Sequence, residues 1–173
     1  MLPRVDAGRT IGPIPLRDGA QLVDFYPWLK VLHILFAIVA VGFNVSYGIW
    51  LFRAAREPEH AGWALRGIKF MDDRVANPSY IGLAVVGVLM VLTGPWEFTD
   101  LWVAGAMVLY VLLAIVALGA YSPTLTRQIA AYEAGGSSSA EFQDLGRRGR
   151  VLGAVTGVLV GLIIVLMVVK PGA

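Results

Sequence analysis

Polar and apolar positions alternate along this chain in long blocks. Four apolar runs stand out: about Trp28 to Phe52, Val75 to Gly94, Leu101 to Tyr121 and Val151 to Val169. Each approaches the roughly 17–25 residues that a helix needs to cross about 30 Å of hydrocarbon. No water reaches a backbone at that depth, so each run is predicted to be helical. The expected fold is all-α: a four-transmembrane-helix bundle with short cytoplasmic interfacial helices over residues 27–173. A polar, extended segment over residues 1–26 precedes it.

The ends of the runs carry local signals. In "RVANPSYIGL", Asn77 reads as an N-cap with Pro78 at the first helical position. In "TGPWEFTD", Gly94-Pro95 stops one helix and Thr99 or Asp100 caps the next. Trp28, Trp96, Trp102 and Tyr121 lie near run ends, where interfacial aromatics collect. Between the first two runs, Ala61, Leu65, Ile68 and Met71 recur at helical spacing among charges. That pattern predicts an amphipathic helix over residues 58–74, lying on the membrane surface. In the other long connection, "SPTLTRQIAAYEA" extends the third span into water, and "GGSSS" breaks the helix.

Composition agrees with the pattern. Of 173 residues, 57% are hydrophobic and 15% charged, where soluble domains average about 25% charged. Mean hydropathy is +0.70. The formal charge of +2 does not imply a nucleic-acid partner, because the basic residues flank apolar spans. Arg53, Arg56, Arg66, Lys69 and Arg74 lie in one long connection; Arg127, Arg147, Arg148 and Arg150 lie in the other. Arg4, Arg9, Arg17, Lys30 and Lys170 lie on the opposite side. The balance places both connections in the cytoplasm and both termini outside. The N-terminal stretch, with prolines, arginines and aspartates, does not read as a signal peptide.

Chemistry-bearing residues are few. The absence of cysteine excludes disulfides and thiolate sites, and no metalloprotease or phosphate-loop motif is present. No ionisable acid falls at mid-span, where ion and proton pathways place them. Asp72 and Asp73 read as a charged cytoplasmic rim.

His33 is the exception. Ala37, Ala40, Asn44, Gly48 and Leu51 share its helical face. His33 and Asn44 fall within about 20° of each other around the helix, heading a stripe of mostly small residues that is expected to face protein. His33 then has three readings: a structural or interfacial imidazole, a haem or metal ligand, or a catalytic group. The climb from His33 to Phe52 is about 28 Å, so His60 lies across the membrane, and no bis-histidine haem forms from the two. A histidine–methionine haem b is the surviving cofactor geometry, with Met90, Met107 or Met167 on the same outer side.

In the fourth span, "GAVTGVLVG" sets Gly153, Gly157 and Gly161 at intervals of four. This face admits a close helix, in the bundle or from a partner chain, or else forms a groove for a flat cofactor or a lipid tail. With no enzyme signature, the expected role is a non-enzymatic accessory or structural subunit in a homo-oligomer or larger membrane complex. Replacing Gly157 with leucine is expected to disturb that assembly or the bundle.

Three pieces, "LKVLHILFAIVAVGF", "ALRGIKFMDDRVANPSYIGL" and "LMVVKP", together resemble a family of small bacterial integral membrane proteins of uncharacterised function. The resemblance covers most of residues 28–171. That family looks distantly similar to CopD-like four-helix membrane proteins, whose first helix bears a histidine. The likeness implies haem or copper at that histidine, and His33 is the matching position.

Overall fold

Two prolines sit where a helix would be expected to stop, and in neither place does it. In the computed structural model, which describes residues 25–172, four long helices carry almost the whole chain. They are α1, Tyr26–Arg56; α2, Pro58–Thr93; α3, Leu101–Gly135; and α4, Ala140–Val169. All four are long and apolar enough to cross a membrane. The polar N-terminal segment and its arginines lie outside the described residues, apart from Phe25 and Tyr26.

Pro78 is absorbed by a π-helical turn over Asp72–Ala76, in which the Asn77 N–H reaches the Asp72 carbonyl. Pro123 is absorbed in the same way, by a π turn over Ala117–Tyr121 with the Ser122 N–H on the Ala117 carbonyl. A proline removes one donor and crowds the carbonyl a turn below it. One extra residue in the preceding turn shifts the carbonyl register, and the helix continues.

This corrects two expectations. Asn77 is helical and makes no N-cap; its amide donates instead to Asp72 Oδ2 at 3.4 Å. The amphipathic segment does not lie as a separate helix on the membrane surface. It is the first half of α2, continuous with the second span. α3 runs past its apolar run to Gly135, as "SPTLTRQIAAYEA" implies. The chain then turns at Gly136, whose φ of 71° suits glycine, and Ser139 Oγ accepts from the Phe142 N–H to start α4.

α1 packs along α2, and α3 along α4. The two pairs come together at the end carrying the long connections. There α2 and α3 meet, and Tyr47, Leu65, Ile68, Ala76 and Leu125 form the buried core. Elsewhere the spans show apolar side chains outwards; Ile38 and Val108 are more than half exposed, as a lipid-facing surface requires.

The opposite end is tied by a cation on aromatics. Lys170 ends α4 in the left-handed conformation, and its Nζ lies 4.2 Å from the Trp96 ring centre and 5.0 Å from that of Trp102. The two indoles meet edge to face, and Trp96 Nε1 donates to Tyr26 Oη at 3.2 Å. Trp102 is therefore buried, and Tyr121 packs against the core; neither is an exposed belt residue. Lys170→Met keeps the stem and removes the charge. It should cost about 1 kcal/mol and shift the tryptophan emission, read together in a thermal melt. An unmoved midpoint would show that the ammonium contributes nothing.

Candidate functional site

The His33–Asn44 stripe faces α2. A Cβ added at Gly87 would stand 3.1 Å from His33 Cε1, so the imidazole occupies the space that the missing side chain leaves. His33 Nδ1 is buried and makes no hydrogen bond of ordinary geometry, although the Leu83 carbonyl is close enough to act on the ring. Lower on the same face, Asn44 Nδ2 donates to the Ala40 carbonyl at 2.9 Å and to Tyr80 Oη at 2.7 Å. Tyr110 on α3 donates to the Tyr80 carbonyl at 2.7 Å. Asn44 thus begins a polar link through α2 to α3. The two tyrosines were not singled out from the sequence, because a tyrosine in an apolar run reads as belt or core.

The structure corrects the charged rim. Asp73 is there, exposed and paired with Lys69. Asp72 is only 8% exposed and belongs to an inward stripe with Leu65, Ile68, Ala76 and Ser79, all buried. The expected apolar member, Met71, is exposed. A buried carboxylate needs partners. Asn77 supplies a hydrogen bond, and Lys69 acts on it electrostatically while its ammonium also reaches Ser122 Oγ at 3.3 Å. Tyr47, 3% exposed, lies within electrostatic range of Asp72, and its hydroxyl is buried without a hydrogen bond.

An open groove lies between the two helix pairs. α1 and α4 barely approach one another, leaving a lateral groove of about 1320 Å³. Val41, Val45 and Gly48 form one wall; Gly153, Gly157 and Gly161 form the other. A Cβ at Gly48, Gly157 or Gly161 would meet no atom within 4 Å, and one at Gly153 would meet only Tyr121, at 3.9 Å. The small faces expected to seat close helices are therefore unfilled by any of the described helices. Asn44 also lines the groove, whereas His33 does not.

The candidate methionines do not gather around His33. Met107 and Met167 are exposed on α3 and α4, the pair to which His33 does not belong; Met90 is half-buried on α2, beyond Gly87. Among the described residues, no three His, Asp or Glu side chains assemble into a metal-binding group.

Comparison with known proteins places these features in one family. Residues 27–171 match the family model described as "Predicted integral membrane protein (DUF2269)". No curated protein and no solved structure matches the chain.

Proposed function

The chain belongs to the DUF2269 family of predicted integral membrane proteins, and from that premise we propose that it is a non-enzymatic accessory protein whose working surface is the α1–α4 groove. One observation carries the reading: Gly157 and Gly161 on the α4 wall meet no other described residue, yet polar and small side chains face the groove from α1. In a bilayer such a wall is covered by another component of the membrane, because bare backbone packs well only against a closely approaching surface. The protein then acts by holding that component, as a subunit of a homo-oligomer or a larger complex. The arginines of the two long connections support an orientation with both connections cytoplasmic and both ends of the bundle outside, and the likeness to small bacterial membrane proteins supports a bacterial inner membrane.

Gly157→Leu tests this reading cleanly. A leucine there fills open space, so helicity and thermal midpoint in detergent should stay within about 0.5 kcal/mol of wild type. Companions retained on gentle extraction, read by sizing and native mass spectrometry, should be lost. A variant that keeps the same companions as wild type, or a wild type that carries none, would overturn the proposal.

The CopD-like likeness enters through His33 alone. The ring is packed over Gly87, its Nδ1 is sealed, and the groove lies elsewhere. These residues do not frame a haem. An absorption spectrum of protein expressed with haem supplied should accordingly lack a Soret band, and a stoichiometric band would restore the haem b reading.

A further inference from the structure

The groove changes character at the end nearer the long connections. Gln128, on α3, is only 7% exposed and its side chain makes no hydrogen bond to any described residue, yet it lines the groove. Its amide lies over α4: a Cβ built at Gly146 would stand 3.0 Å from Gln128 Nε2 and 3.9 Å from Arg150 Nη1. Two donor groups therefore converge on one glycine, while the amide's own Oε1 lies nearer Gly149, 3.9 Å from a Cβ built there. Arg150 is exposed and forms no ion pair among the described residues. The neighbouring carboxylate, Asp144, already serves Arg148 at 2.9 Å and Arg147 at 3.5 Å. Ser137 and Ser138 complete the polar mouth.

We infer that the groove holds an anionic phospholipid of the leaflet at this end. Its phosphate sits between Arg150 and Gln128, and one acyl chain lies along Gly153, Gly157 and Gly161. The charge supports the headgroup: a guanidinium and an amide N–H at the mouth, neither bonded to a described residue, offer donors that a phosphate accepts from. The dimensions support the chain. From Gly153 to Gly161 the wall climbs about 12 Å, within the roughly 15 Å of one leaflet. A second copy fits less well, since a two-fold axis along the bilayer normal would set Arg150 against its own counterpart. The inference rests on the reading of the groove as the working surface.

The test uses the full chain reconstituted in vesicles of equal phosphatidylglycerol and phosphatidylcholine, released in mild detergent and weighed by native mass spectrometry. Wild type should retain phosphatidylglycerol in preference. Arg150→Gln should reduce that preference about fivefold. Gln128→Leu should weaken retention, because it removes one of the two donors that hold the phosphate. Equal retention of both lipids by wild type would overturn the inference, as would a preference unmoved by both variants. A protein companion in the groove, lost in Gly157→Leu while no lipid is retained, would overturn the inference and leave the proposed function standing. Companions of any kind that survive Gly157→Leu would sink both.

Discussion

Gly62→Leu should destabilise the bundle by about 3 kcal/mol, whereas Gly67→Leu, five residues along the same helix, should be neutral or slightly stabilising. At Gly62 an added Cβ would overlap the Tyr132 ring. That ring has little freedom to retreat: its hydroxyl donates to the Glu59 carbonyl at 3.1 Å, and Phe142 packs against it with ring centres 5.7 Å apart. The contact joins α2 to α3 and α4 at the one end where all four helices meet, so its loss loosens the whole core. At Gly67 nothing lies within 4 Å. Leucine there gains helix propensity of up to about 1 kcal/mol over glycine. Thermal midpoints in one detergent, with size-exclusion profiles, decide the matter. Equal effects at the two positions would mean that α2 and α3 do not meet as described.

The second contrast concerns two adjacent acids. Asp72→Lys should cost about 3–5 kcal/mol, the range for leaving a buried charge uncompensated. The same change at Asp73 should cost no more than about 1 kcal/mol. Asp72 is closed in by Lys69, Asn77 and the core around Tyr47, so a second ammonium there would face the first at low dielectric. Asp73 is nearly half exposed and forms an ordinary i,i+4 pair with Lys69. Expression level and thermal midpoint of the two variants measure the difference. Similar values for both would show that Asp72 is not buried.

Asp72 also marks a place where the sequence was legible and a different face was read. The set 61, 65, 68, 72, 76, 79 is a continuous helical stripe, and following it through the acid would have identified Asp72 as buried. Met71, one residue away, matches the stripe in hydrophobicity and lies off the buried face. Asn77-Pro78 is open to a second reading of the same kind, the one that Ser122-Pro123 already carries as part of an extended third span. A polar residue before proline marks a helix start in water, but within a membrane segment the backbone must stay bonded, and a π turn meets that need without a break.

The sequence by itself determined that this protein is four membrane-crossing helices. Span length, apolar content and the break at "GGSSS" are local quantities, set by bilayer thickness and backbone hydrogen bonding. It also determined the facing of His33 and Asn44, since helical angle is arithmetic on residue number. Only the tertiary structure decided what the small faces meet. Glycines at intervals of four mean the same thing to the chain whether a helix covers them or not. Gly87 is covered by His33, Gly62 is pressed by Tyr132, and Gly157 stands open. Which of these holds depends on the separation of helices far apart in sequence, and that separation is set by bulky side chains at the bundle end, Tyr47, Leu65 and Leu125 among them. They draw the helix pairs together there and leave α1 and α4 apart, so the groove is a property of the packing and of no single helix.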